Sequence, residues 1–121
     1  MRQRLSQLVV VAWALACASL AGAHAFLDHA IPAVGSTVHG SPPQVKLWFT
    51  QRLEPAFTSA QVTDRDGKRV SPGDASLDPS DRTLLVVPVS QLPPGSYRVK
   101  WRVVSVDTHV TEGDFSFEVA P

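Results

Sequence analysis

The sequence predicts an all-β domain of the sandwich or barrel type. Short runs rich in β-branched and aromatic residues are separated by turn-forming Pro, Gly, Asp and Ser residues. Turn signals at intervals of about 8–12 residues are typical of β-sandwiches and β-barrels. The chain also contains 10 prolines, and no segment carries a helical spacing of apolar residues over more than about two turns.

Five strands are predicted along the chain, at 45–50, 59–63, 83–89, 96–105 and 114–119. Residues 83–89 are almost wholly apolar, which is typical of a strand buried in a core. Residues 96–105 alternate in polarity, so Tyr97 and Trp101 share one face. Asp66-Gly67 predicts a hairpin turn. The predicted core residues are Trp101, Tyr97, Phe115, Phe117 and Leu85.

The first 23 residues have the organisation of a secretory signal peptide. Two arginines near the start precede an uninterrupted run of 13 apolar and small residues at 8–20, and Ala21-Gly22-Ala23 follows as a cleavage signal. A membrane-spanning helix needs about 20 apolar residues, so this run predicts a leader and not a span. We therefore expect a cleaved signal peptide at 1–23 and a secreted domain at 24–121, with no membrane span in the mature chain.

Two other ways of processing the N-terminus stay open. Ala23-His24-Ala25 is also an A-x-A signal, and cleavage after Ala25 would start the protein at Phe26. Cys17 could mark a lipoprotein, although Ala14 stands where a bulky aliphatic residue is usual in that motif.

Composition excludes several classes of protein. The full chain has 11 basic and 11 acidic residues, and removing Arg2 and Arg4 with the leader leaves 9 against 11, a net charge of −2. Without a basic patch or run, the mature chain is not expected to bind nucleic acid. The single Cys and the single Met both lie before residue 24, so the predicted mature domain contains no disulfide and no sulfur ligand.

The remaining polar residues suggest a metal site. Cleavage before His24 would give that residue an α-amine and an imidazole that can chelate one metal ion together. Asp107 and His109 are two residues apart, and in an extended backbone such residues project to the same face. Nitrogen and oxygen ligands without sulfur suit tetragonal Cu(II), and zinc remains chemically possible with the same ligands.

The same residues resemble a known family, the periplasmic copper-resistance proteins of the CopC type. Residues 24–27 (HAFL) and 32–35 (PAVG) are similar to the opening of these proteins. Residues 95–109 (GSYRVKWRVVSVDTH) resemble their most characteristic motif, GxYxVxWRxVSxDxH. Gly113 and residues 115–119 fit the closing strand, so the resemblance spans essentially the whole mature chain.

The resemblance implies a seven-stranded Greek-key β-sandwich of the immunoglobulin-like type that binds Cu(II) in the periplasm. It places His24 as the N-terminal ligand, and Asp107 and His109 as the carboxylate and second imidazole ligands, and it favours cleavage before His24. The implied role is a non-enzymatic copper buffer or chaperone in copper homeostasis and resistance. An inner-membrane CopD-type copper transporter, which would be a separate chain, is the implied partner.

Two features depart from the family pattern. Gln51 stands where many members have glutamate, and a neutral amide cannot neutralise metal charge, so we expect somewhat weaker Cu(II) binding. Residues 62–76 contain no Met and no His, although some relatives have a methionine-rich Cu(I) site in that region. We expect His29 and His39 to be exposed surface residues, with an outer contact to the metal left open for His29.

Two other functions compete with this one. Lytic polysaccharide monooxygenases also place an N-terminal histidine and copper on an immunoglobulin-like sandwich, but they need an open copper face and a broad surface for polysaccharide. An ionised Asp107 would occupy the open position. The other alternative is a purely structural sandwich, which would have the same stability with and without copper.

Overall fold

The computed structural model describes residues 25–121, which form two packed β-sheets. The predicted signal peptide at 1–23 and the predicted ligand His24 lie outside the described residues. The strands are β1 (Leu27–Ile31), β2 (Thr37–His39), β3 (Gln44–Phe49), β4 (Ser59–Thr63), β5 (Ser76–Asp78), β6 (Asp81–Pro88), β7 (Gly95–Val104) and β8 (Val110–Ala120). A single 3-10 turn, Pro55–Phe57, is the only helix among the described residues, and the all-β prediction is confirmed.

Each sheet contains four strands, in the orders β1-β3-β6-β5 and β2-β8-β7-β4. Strands consecutive in sequence, such as β3 and β4 or β6 and β7, lie in different sheets, as in Greek-key sandwiches. The resemblance implies seven strands, whereas residues 25–121 form eight. Because β2 and β5 are edge strands of only three residues each, the count depends on these two short segments.

The alternation of apolar residues builds the core between the sheets. In β3, Val45, Leu47 and Phe49 are buried while the residues between them are partly exposed. Of the predicted core residues, four are buried: Tyr97, Phe115, Phe117 and Leu85. Trp101 is only half-buried and packs edge-on against Phe49, with ring centroids 5.1 Å apart.

The β7–β8 hairpin is the longest element and carries the candidate site at its tip. The two strands pair antiparallel from Gly95↔Val119 to Val104↔Val110. Trp101 lies opposite Gly113, where an ideal Cβ atom would be 2.8 Å from Trp101 Cε2. A side chain at position 113 would therefore collide with the indole ring, which explains the glycine. The hairpin turn at 105–109 lies at one end of the sandwich, as predicted.

Candidate metal centre

The turn that joins β7 to β8 brings Asp107 and His109 together. Asp107 Oδ2 lies 3.3 Å from His109 Nδ1, and both side chains are about half exposed, at 50% and 45%. Two neighbouring ligands of one ion, with bonds of about 2.1 Å at right angles, would be about 3 Å apart. The described geometry therefore fits a pair of ligands that share one metal ion.

The sequence predicts that Asp107 and His109 are close together, but it does not predict the backbone conformation of the turn that brings them together. We expected an extended segment, in which residues i and i+2 share a face. Instead, Thr108 has a φ of +72°, a left-handed conformation that is rare for a β-branched residue. The turn is closed by two backbone bonds, in which Thr108 N donates to Ser105 O at 2.8 Å and Ser105 N donates to His109 O at 2.9 Å.

The carboxylate of Asp107 is held by polar partners on both oxygens. The Ser105 hydroxyl donates to Oδ1, while Oδ2 faces the His109 ring. The bond from Ser105 is the main cause that holds the pKa of Asp107 below its usual value. Partial desolvation opposes this effect, and the hydrogen bond and charge of His109 add to it. The site thus favours an ionised carboxylate, the form that binds a metal.

The loop that follows β3 packs against the same turn. Val106 N donates to Arg52 O at 3.0 Å, and Glu54 N donates to Val104 O at 2.7 Å. An isolated bridge pairs Leu53 with Ser105. These contacts join the base of the turn to the loop between β3 and β4, which connects the two sheets, so Asp107 and His109 do not lie on a free loop.

The start of the described chain is anchored at this end of the molecule. Ala25 is fully buried, and the Thr111 hydroxyl donates to its carbonyl at 2.6 Å. Phe26 N donates to Thr50 Oγ1 at 3.0 Å, and Thr50 N donates to Phe26 O at 2.9 Å. Thr111 is only two residues from His109, so these bonds hold Ala25 close to the hairpin tip.

The other histidines are exposed, as expected. His29 stacks on Trp48 with ring centroids 4.4 Å apart, and its Nδ1 lies 2.7 Å from Asp28 Oδ2. His39 lies on β2, with Nδ1 3.4 Å from the backbone oxygen of Pro121. Within residues 25–121, no group of three or more acidic, histidine or cysteine side chains is placed to hold a metal ion.

Three polar residues that support the site were not predicted from the sequence: Ser105, Thr111 and Thr50. The segment at Ala25 and Phe26 and the tip of the hairpin are far apart in sequence, so no local spacing relates them. Ser105 stands two residues before Asp107 in the motif, and this position was the one available signal in the sequence. Gln51, the residue that departs from the family pattern, is half-buried beside Thr50.

The fold and this site define the class of protein: a small immunoglobulin-like β-sandwich with a carboxylate–imidazole pair at one end. The family model described as the CopC domain matches residues 27–120. The chain therefore belongs to the CopC domain family, and the resemblance predicted from its motifs is confirmed.

Named relatives are similar over most of the chain. Protein YobA of Escherichia coli (strain K12) is 37% identical, over 80% of this chain and 79% of its own length. Copper resistance protein C of Xanthomonas campestris pv. juglandis is 36% identical, over 98% of this chain and 96% of its own. The crystal structure of CopC from Methylosinus trichosporium OB3b has 39% identity and a TM-score of 0.76, covering 81% of this chain and 95% of that one.

No helix among residues 25–121 is long and apolar enough to cross a membrane.

Proposed function

We propose that this protein binds one Cu(II) ion in the periplasm and acts as a copper buffer or chaperone in copper homeostasis and resistance. The observation that carries the proposal is the Asp107–His109 pair, 3.3 Å apart, beside the anchored start of the described chain at Ala25. The relatives named copper resistance protein C and CopC support copper as the cargo.

His24 is the third ligand in this proposal. Consecutive Cα atoms are about 3.8 Å apart, so a chain that starts one residue before Ala25 starts close to the hairpin tip. The bond from Thr111 to the Ala25 carbonyl limits where that start can lie. A free α-amine has a reference pKa of only about 7.7–8.0, so Cu(II) can displace its proton near neutral pH and close a chelate with the imidazole.

The ligand set explains the choice of metal. An amine, two imidazoles and one carboxylate suit Cu(II), whereas Cu(I) prefers sulfur, and the chain has no Cys or Met after residue 17. Signal cleavage after Ala23 is part of the proposal, because it releases the domain 24–121 with His24 at its start. A CopD-type transporter in the inner membrane is the proposed partner that exchanges copper with it.

The first experiment is the intact mass of the protein secreted from its full precursor, followed by Cu(II) titration with electron paramagnetic resonance. We expect a mass that begins at His24 and one type 2 copper signal with nitrogen coupling, complete at one equivalent. A mass that begins at Phe26, or a copper signal unchanged in His24→Ala, Asp107→Ala and His109→Ala, would contradict the proposal.

The proposed role does not include catalysis. Copper-dependent oxidases of the polysaccharide monooxygenase type need an open face on the metal, and the ionised Asp107 carboxylate would fill a position there. We therefore expect the copper-loaded protein to release no oxidised sugars from chitin or cellulose with hydrogen peroxide. Oxidation that is lost in His24→Ala would establish the enzyme instead.

A further inference from the structure

Two polar side chains are buried among residues 25–121, those of Ser71 and Ser105, at 2% and 1% exposure. A hydroxyl that is removed from water without a hydrogen bond costs free energy, so each must have partners. Ser71 Oγ accepts from Val62 N at 3.1 Å and lies 3.2 Å from Arg69 Nε. These contacts are local to β4 and the loop after it. Ser105 is directed elsewhere, toward the candidate metal centre.

The Ser105 hydroxyl contacts both members of the ligand pair. It donates to Asp107 Oδ1, and it lies 3.3 Å from His109 N and 3.3 Å from His109 O. A hydroxyl has one proton and two lone pairs. Since a charged acceptor forms the stronger bond, the proton goes to the carboxylate and a lone pair accepts from His109 N. One buried atom thus joins the Asp107 side chain to the His109 backbone.

This hydroxyl has a role separate from closing the turn. The backbone of Ser105 already closes it, through its N–H to His109 O at 2.9 Å and through its carbonyl, which accepts from Thr108 N at 2.8 Å. An alanine at this position would keep both bonds. It would lose the bonds of the hydroxyl to Asp107 Oδ1 and His109 N, of which the first fixes the rotation of the Asp107 carboxylate and turns Oδ2 toward His109 Nδ1.

From these contacts we propose that Ser105 is a positioning residue for copper binding, which holds Asp107 against His109 before the ion arrives. The inference rests on the proposed function, because it concerns the same ligands. Residues that orient metal ligands through hydrogen bonds typically change metal affinity about 10–100-fold when they are replaced. Ser105 is anchored by burial, so it can restrain an exposed carboxylate that would otherwise be held mainly through its contact with His109.

The test compares Ser105→Ala with Ser71→Ala in the protein secreted from the full precursor. Both variants lose the hydrogen bonds of a buried hydroxyl, so both should melt at lower temperature. Only Ser105→Ala should weaken Cu(II) binding, by about tenfold or more in competition with a chelator. It should also alter the copper hyperfine splitting in electron paramagnetic resonance, which a loss of stability alone would not move.

The variant Ser105→Thr separates the effect of the hydroxyl from the effect of packing. It keeps the hydroxyl, while its extra methyl group crowds a buried position. We expect it to lose stability by overpacking and yet to keep Cu(II) affinity within about threefold of the original protein, far from the loss expected on removing the contact. Equal weakening in Ser105→Thr and Ser105→Ala would overturn the inference, as would equal weakening in Ser71→Ala.

The inference and the proposed function fail in different ways. If Asp107→Ala weakens Cu(II) binding and Ser105→Ala does not, Ser105 is structural and the copper site stands. If Asp107→Ala has no effect, Asp107 is not a ligand, and both the proposed site and the role of Ser105 are wrong.

Discussion

At the scale of single residues, the carboxylate of Asp107 is bound on both sides by groups that favour its ionised form. The Ser105 hydroxyl lies on one oxygen and the His109 ring on the other. The sequence motif was sufficient to predict that Asp107 and His109 are neighbours. It was not sufficient to predict how, because the left-handed Thr108 places them together through a tight turn. The expected weakening of Cu(II) binding by Gln51 stays a prediction.

The pKa of Asp107 gives a prediction for the copper-free protein. It lies below the usual value chiefly because of the Ser105 hydrogen bond, so Ser105→Ala should raise it. Asp78 is the matched control. Its pKa is lowered by hydrogen bonds from the Ser80 side chain and backbone, and it should not change in this variant. Carbon-13 NMR titration of the carboxyl groups measures both.

The sign of the effect on stability follows from linkage. A carboxyl group whose pKa is lower in the folded state stabilises the fold fully above its unfolded pKa of about 3.9. That contribution is lost as the pH falls through the lower, folded pKa. Ser105→Ala should therefore lose part of the stabilisation by Asp107 near neutral pH, and the difference from the original protein should shrink in acid. An unchanged Asp107 pKa in the variant would contradict this account.

At the scale of elements, the strands differ in how strongly local sequence defines them. All five predicted runs correspond to strands; β8 alternates in burial along its length, and β7 alternates from Ser96 to Val103. The other three, β1, β2 and β5, were not predicted. In β1 the register shifts between Leu27 and His29, which pair with the adjacent residues Phe49 and Trp48, so the alternation is interrupted. The strands β2 and β5 are three residues long, too short for a pattern to be visible.

The β7–β8 hairpin supports a second prediction, on the glycine opposite Trp101. Gly113→Ala would place a Cβ atom 2.8 Å from Trp101 Cε2, and overpacking of this kind typically costs about 1–3 kcal/mol. Gly95→Ala is the control in the same hairpin, since its Cβ would meet only the Tyr97 side chain, with the hydroxyl oxygen at 3.9 Å and Cε2 at 4.0 Å. We expect thermal or urea unfolding to show a clear loss for Gly113→Ala and little change for Gly95→Ala. Equal stability of the two variants would mean that the indole ring moves aside.

At the scale of the whole molecule, the candidate site depends on segments that are distant in sequence. Residues 25–27, the loop after β3 and the tip of the β7–β8 hairpin meet at one end of the sandwich through hydrogen bonds. The sequence predicted that the tip of the β7–β8 hairpin lies at one end of the sandwich, because the loops of a sandwich cluster at its ends. It could not show which other loops share that end, since this depends on the pairing order of strands. Only the family resemblance predicts that His24 lies at that end, and this stays a prediction.

Because these segments converge at the proposed site, copper binding there should stabilise the whole domain. A ligand that binds only the folded state stabilises it by about 2.7 kcal/mol when its free concentration is about 100 times its dissociation constant. For a domain of about 100 residues, this corresponds to a rise in melting temperature of about 10–20 °C. A structural sandwich without a metal site would show no such rise.

A control that blocks the α-amine of His24 tests whether the rise in melting temperature comes from copper at the proposed site. The control is the same protein with its His24 α-amine acetylated, which keeps every side chain but converts the amine into an amide. Because the amine and the imidazole of His24 then cannot chelate the metal together, Cu(II) should raise the melting temperature much less in this control. Without copper, the control and the original protein should melt at the same temperature. Calorimetry at matched free Cu(II) measures both. An equal rise in both proteins would show that copper binds without the His24 amine, and that the site consists of Asp107, His109 and other side chains.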